Sequence, residues 1–140
     1  PGEIDTARLL AEPLETADGE PTNVGSYLNE QPMLINIWAS NCAPCVQEMP
    51  LLQQAADDNS DITFVGVATQ DDPAKAQELA EQTGITYPWA LDPTGEFLYE
   101  SKGAGMPTTL LLSADGDVVA TKTGQFHDEQ ELQAFLDEAS

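Results

Sequence analysis

The stretch Trp38-Ala39-Ser40-Asn41-Cys42-Ala43-Pro44-Cys45 decides the fold, because it places a cysteine pair where a buried strand gives way to a helix. Residues 33–39, MLINIWA, are mostly apolar and suit a strand that is buried on both faces of a sheet. We predict a helix over residues 42–57, with Ser40 or Asn41 as its cap and Pro44 in its first turn. Pro50 falls inside this helix and is expected to kink it.

The two cysteines are the only ones in the chain and are three positions apart. A bridge between Cys42 and Cys45 would close too short a loop to staple a fold, because such stabilisation comes mainly from closing long loops. Zinc usually needs four nitrogen or sulfur ligands, and the chain adds only the distant His127, with carboxylates as weak further candidates. We therefore expect redox chemistry, with no metal and no cofactor.

Two cysteines at the start of a helix have unequal roles. The positive end of the helix dipole favours the thiolate of Cys42, and the thiolate is the reactive form of cysteine. Cys45 lies one turn further in and is expected to be better covered. Cys42 is thus predicted to attack a partner disulfide, and Cys45 to resolve the mixed disulfide.

The rest of the chain alternates strand and helix patterns and ends in a hairpin and a helix, which predicts an α/β fold with a central mixed sheet flanked by helices. An N-terminal β-hairpin is predicted around Asp18-Gly19, and we expect residues 1–140 to form a single domain. Further predicted elements are a helical turn over 26–29, strands over 62–68, 108–112 and 117–121, helices over 73–84, 95–101 and from 128, and loops at 87–89 and 92–95.

The composition is strongly acidic. The 140 residues include 25 Asp and Glu against 4 Lys and Arg, a net charge of −21, which argues against binding nucleic acid or anionic membranes. The acidity fits either solubility or selection of cationic partners. The apolar runs are too short to span a bilayer, and a chain that starts at Pro1 without an export signal is expected to be a trimmed form of an exported or anchored protein. We expect a monomer.

The segment of residues 38–45 resembles the active-site segment of thioredoxins, and Glu48-Met49-Pro50 resembles the TlpA/ResA-like branch of that superfamily, whose members are exported or membrane-anchored. The resemblance covers nearly the whole chain from about Leu14. Its other matches are Asp18-Gly19, Tyr87-Pro88, the loop from Asp92 to Gly95, Gly105-Met106-Pro107-Thr108-Thr109 and Asp115-Gly116.

The resemblance implies a thioredoxin-like fold and an extracytoplasmic thiol–disulfide oxidoreductase that acts on exported proteins with cysteine pairs. Apocytochrome c, with its haem-binding cysteines, is one substrate that it implies, and a membrane redox partner would recycle the cysteines. It further implies that Pro107 is cis and faces the cysteines, and that the backbone of Met106 contacts the substrate chain. The residues assigned to substrate binding are Trp38, Asn41, Ala43, Pro44, Met106 and Pro107.

Glu48 is three residues after Cys45, so the two side chains could share a helix face. In one interpretation its carboxylate relays the proton of the Cys45 thiol, as the resemblance to ResA-like proteins suggests. In the other it is a solvated helix residue. Asn36 stands where cytoplasmic thioredoxins bury an aspartate, and asparagine cannot exchange protons.

Four functions remain open from the sequence. A reductase is favoured, because no cationic side chain neighbours Cys42 and the charge of −21 opposes its thiolate. An oxidase that donates its disulfide to exported proteins would use the same fold. A peroxidase would be expected to have a Thr-x-x-Cys arrangement with an arginine partner, and the only arginine is Arg8 in the N-terminal tail. The intact cysteine pair argues against a redox-inert binding module.

Overall fold

A seven-stranded mixed sheet forms the centre of the computed structural model, which describes residues 3–140. The strands are β1 (Leu14–Glu15), β2 (Pro21–Thr22), β3 (Met33–Trp38), β4 (Thr63–Thr69), β5 (Trp89–Asp92), β6 (Thr108–Leu112) and β7 (Val118–Thr123). Their order across the sheet is β2-β1-β5-β4-β3-β6-β7. Strand β3 is parallel to β4 and antiparallel to β6, and β5 is parallel to β4.

Helices cover the sheet on both faces. They are α1 (Thr6–Ala11), α2 (Ala43–Asp58), α3 (Pro73–Thr83), α4 (Glu96–Glu100) and α5 (Glu129–Leu136), with 3₁₀ turns at Val24–Tyr27 and Asp137–Ala139. None of the helices within residues 3–140 combines the length and the apolar character that crossing a membrane requires.

The alternation of side chains along β3 divides the core into two layers. Met33, Ile35 and Ile37 point to a cluster that includes residues of α1 and α4. Leu34 and Trp38 point to the opposite face, where α2, α3 and α5 pack. A strand with both faces buried explains the nearly continuous apolar run in the sequence.

The predicted mixed sheet, its flanking helices and the N-terminal hairpin are confirmed. Two elements were missed, α1 and β5. The loops predicted at residues 87–89 and 92–95 are wrong at Trp89 and Asp92, which begin and end β5. The helical turn predicted at 26–29 lies at Val24–Tyr27. Helix α2 continues through Pro50 to Asp58. Of the range predicted as one domain, residues 1 and 2 lie outside the described residues.

Candidate active site at the Cys42–Cys45 disulfide

Cys42 and Cys45 form a disulfide, with Cα atoms 5.3 Å apart, at the junction of β3 and α2. A turn separates β3 from the cysteines. It is closed by the Cys42 N–H, which donates to the carbonyl oxygen of Ala39 at 3.2 Å. The prediction that Ser40 or Asn41 caps the helix is wrong. Cys42 itself occupies the cap position in extended conformation, and its Sγ accepts the Cys45 N–H at 3.3 Å.

The two sulfur-bearing residues differ in exposure. Cys42 is partly exposed, and Asn41, Ala43 and Pro44 around it are exposed. Cys45 is fully buried among apolar side chains of β3, β4 and α2. An incoming sulfur atom would therefore reach Cys42 and not Cys45.

Glu48 is fully buried one turn after Cys45. Its Oε1 accepts from the side-chain amide of Asn36 at 2.8 Å, and its Oε2 accepts the Phe126 N–H at 2.9 Å. The interpretation as a solvated helix residue is wrong. Burial raises the pKa of Glu48 to about 7, and the two hydrogen bonds and Lys122 oppose this rise only in part.

The loop before β6 lies next to the cluster that contains the cysteines. The Met106–Pro107 peptide bond is cis, as the sequence resemblance implies. Pro107 is buried, and half-buried Met106 packs against the cluster that contains both cysteines. The cysteine pair and the loop are thus brought together from segments about sixty residues apart.

Trp38 packs in the same buried cluster as Cys45. Its side chain is fully buried, and its ring meets Trp89 edge-to-face with 5.8 Å between centroids. Its indole Nε1 has no hydrogen-bond partner within residues 3–140, and the same holds for Tyr87 Oη and Asn36 Oδ1. Trp38 therefore shares a buried cluster with Cys45 and has no exposed surface with which to contact a substrate, contrary to its predicted role in substrate binding.

Several features of the site were not predicted from the sequence. Asn36 and Phe126, which lie 12 and 78 residues from Glu48 in the sequence, both donate hydrogen bonds to its carboxyl group. Asp71 accepts two hydrogen bonds from Ser40.

His127 lies at the entry to α5, where its N–H donates to Glu131. Across the part of the chain that the structure describes, no group of three or more His, Cys, Asp or Glu side chains is placed to hold a metal ion.

Comparison with known proteins agrees with this geometry. The family model described as Redoxin matches residues 5–136. Sporulation thiol-disulfide oxidoreductase A of Bacillus subtilis is 28% identical over 122 residues, which cover 84% of this chain and 73% of that protein. Thiol-disulfide oxidoreductase ResA of Halalkalibacterium halodurans is 24% identical over 127 residues, covering 89% of this chain and 70% of the relative.

A solved structure extends the comparison to three dimensions. A secreted disulfide oxidoreductase of Mycobacterium tuberculosis, described as homologous to E. coli DsbE, superposes with a TM-score of 0.82 at 25% identity, covering 94% of this chain and 97% of that one. The chain therefore belongs to the Redoxin family, with a thioredoxin-like fold, and is a thiol–disulfide oxidoreductase of the ResA and DsbE type.

Proposed function

We propose that this protein is a reductase of disulfides in exported proteins and works outside the cytoplasm. The unequal exposure of the two cysteines at the start of α2 carries the disulfide-exchange role, and the absence of a cationic side chain beside Cys42 in the sequence favours the reducing direction. Cys42 is partly exposed and Cys45 is fully buried. This arrangement suits an attacking thiol that meets the substrate and a resolving thiol that the substrate does not touch.

The proposed reaction moves two electrons from the dithiol to the substrate. The Cys42 thiolate attacks one sulfur of the substrate disulfide, and the S–S bond breaks as a mixed disulfide forms. The Cys45 thiol loses its proton and attacks Cys42 Sγ. The substrate leaves as a dithiol after taking up two protons, and the enzyme is left with the Cys42–Cys45 disulfide.

Glu48 is the proposed acceptor of the Cys45 proton. A base works best when its pKa is near the working pH, and burial raises the pKa of Glu48 to about 7. At neutral pH the buried carboxyl group is then close to equally populated in its two forms. It can take a proton in the reductive direction and return it when the disulfide is reduced again.

Substrate binding is assigned to the exposed rim around Cys42. Asn41, Ala43 and Pro44 border the partly exposed sulfur, and Met106 and Pro107 lie on the neighbouring loop. The backbone of Met106 would pair with the substrate chain in the way that the family resemblance implies. Trp38 lies outside this rim, since its side chain is fully buried.

The proposed location and partners follow from the chemistry and the relatives. Thiols in the cytosol are kept reduced, so stable exchange of disulfides with folded proteins belongs to oxidising compartments. The similar M. tuberculosis protein is described as secreted. The proposed substrates are exported proteins with cysteine pairs, apocytochrome c among them, and a membrane redox partner would return the enzyme to the dithiol. We propose that the protein acts as a monomer.

Trapping of a mixed disulfide tests the roles of the cysteines. Cys45→Ser should accumulate a covalent adduct with a disulfide-containing protein, because the resolving thiol is gone, and reductant should release the adduct. Cys42→Ser is the matched control and should form no adduct. Adducts on Cys42→Ser and none on Cys45→Ser would show that the assigned roles are reversed.

A further inference from the structure

Asp71 holds the turn that carries Cys42. Its Oδ2 accepts the Ser40 N–H and its Oδ1 accepts the Ser40 hydroxyl, both at 2.7 Å. Ser40 lies inside the turn that the Cys42 N–H closes onto Ala39. A charged acceptor with two short hydrogen bonds to one residue is a strong and geometrically specific contact.

The backbone around Asp71 is arranged for this contact. Gln70 has a φ of 46°, in the left-handed region that non-glycine residues seldom occupy, and this bend follows β4 directly. Asp71 Oδ1 also accepts the Asp72 N–H at 2.9 Å. Asp72 in turn caps α3 by accepting the Ala74 N–H at 2.8 Å. Asp71 therefore fixes the turn before α2, and its neighbour Asp72 fixes the start of α3.

Asp71 also places a negative charge beside the turn that carries the attacking cysteine. Two residues of chain span at most about 7 Å, so the carboxylate lies within about 10 Å of the Cys42 backbone. This is about one Debye length at 0.1 M salt, and the carboxylate is partly buried, so screening is incomplete. Coulomb repulsion from a carboxylate at this range is weak, and it opposes formation of a second anion.

We propose that Asp71 is a positioning residue of the active site, which fixes the turn that carries Cys42 and disfavours the Cys42 thiolate. Less thiolate stabilisation means a less stable dithiol form, so Asp71 makes the pair more strongly reducing. The proposal deepens the proposed reductase function and rests on it for its biological meaning. The contact itself is part of the structure whichever way electrons flow.

Few other charged groups lie near the N-terminal ends of α2 and α3. Asp72 and Lys75 lie at the start of α3, and Glu48 lies on α2, where it is bonded to Asn36 and Phe126. Asp72 is exposed and directs its carboxylate to the N-terminus of α3, which offsets its charge. Asp71 is therefore the acidic side chain bonded directly to the turn before Cys42.

The test is the equilibrium of the full chain with glutathione, measured at pH 7 and pH 9. Asp71→Asn keeps the size of the side chain and removes its charge. The equilibrium constant for formation of the dithiol should therefore rise about threefold at pH 9, or about 15 mV at ~30 mV per tenfold. The gain should be smaller at pH 7, where a cysteine with an ordinary pKa of ~8.5 is mostly a neutral thiol.

Asp72→Asn is the matched control, because asparagine also caps helices, and it should shift the equilibrium by less than about 1.5-fold. An equal shift in both variants, no shift in Asp71→Asn, or a shift toward the disulfide would overturn the proposal. The ratio between variant and wild type tests Asp71, whereas the wild-type value alone tests the reductase direction, so the two can fail separately.

A second measurement does not depend on a variant that folds. Hydrogen exchange of the Ser40 amide in the wild-type protein should be slow in both the oxidised and the reduced forms, because Asp71 accepts that proton. Fast exchange at Ser40 in the reduced form would contradict the positioning role.

Discussion

Asn36 on β3 donates its side-chain amide to Glu48 on α2 at 2.8 Å, and both side chains are fully buried. The Phe126 N–H is the second donor to the same carboxyl group. Burial nevertheless prevails over these two hydrogen bonds and raises the pKa of Glu48 to about 7. The protein thus keeps a carboxyl group that changes charge near neutral pH one turn from Cys45.

The raised pKa makes folding stability depend on pH. Unfolding returns Glu48 to an ordinary pKa of 4.5, so the folded state binds the extra proton between about pH 4.5 and 7. Stability from this group is complete below pH 4.5 and is lost as pH rises through 7, a total of about 3 kcal/mol. Urea unfolding of wild type and Glu48→Gln should show this difference. The free energy of unfolding of the variant should rise relative to that of wild type as pH rises. A constant difference from pH 4.5 to 8 would contradict the shift.

Proton transfer through Glu48 should be visible in the exchange rate. Glu48→Gln keeps the volume and one acceptor oxygen but cannot take a proton, so the step in which Cys45 attacks should slow at least about tenfold near pH 7. The rate of release of a mixed disulfide formed on Cys42 measures this step. Glu78→Gln, on the exposed side of α3, is the control and should retain the wild-type rate. Equal rates in all three proteins would leave Glu48 without a role in proton transfer.

Two neighbouring charges should move the Glu48 titration in opposite directions. Lys122 lowers the pKa of Glu48 and Glu131 raises it, while Lys122 and Glu131 form an ion pair at 3.1 Å. Lys122→Met should therefore raise the pKa of Glu48, and Glu131→Gln should lower it. Carbon NMR of the Glu48 carboxyl group gives the midpoint directly. Shifts of the same sign in the two variants would show that the electrostatic assignment is wrong.

Gly66 is required by the close packing of Trp38 and Trp89 against the backbone of β4. A Cβ atom at this position would lie 2.8 Å from Trp38 Nε1 and 3.2 Å from Trp89 Cβ, and the buried ring of Trp38 packs edge-to-face on that of partly buried Trp89. Gly66→Ala should cost about 1–3 kcal/mol of stability, as overpacking of a filled core does. Gly105→Ala is the control, because its Cβ would meet nothing within 4 Å. Denaturant unfolding that finds the two variants equally stable would contradict this account of the packing.

The fold could be predicted where the sequence carries a local signal. The apolar runs at β3 and β4 and the caps at Asp72 and Asp128 correspond to elements of the structure. Strand β5 was missed because its four residues follow Pro88 and end at the turn sequence that begins at Asp92, so turn signals outweigh a short strand.

The cysteine pair and the cis proline could be predicted from the sequence, whereas the residues packed around them could not. Cys42, Cys45 and Pro107 stand in recognisable motifs. The burial of Glu48 depends on contacts with Asn36 and Phe126 that are distant in the chain, and no periodicity reveals them. The hydrogen bonds between Asp71 and Ser40 join residues 31 positions apart. The sequence Asp71-Asp72-Pro73 by itself indicates only a helix cap.

The redox potential of the Cys42–Cys45 pair tests the reductase assignment most directly. The oxidised and reduced fractions of the wild-type chain in glutathione buffers give its value. The account predicts a potential closer to the ~−270 mV of thioredoxin than to the ~−120 mV of DsbA, because no cation adjoins Cys42 in the sequence and Asp71 opposes its thiolate. A potential close to that of DsbA, with the reduced form more resistant to denaturation than the oxidised form, would contradict the account and identify an oxidase.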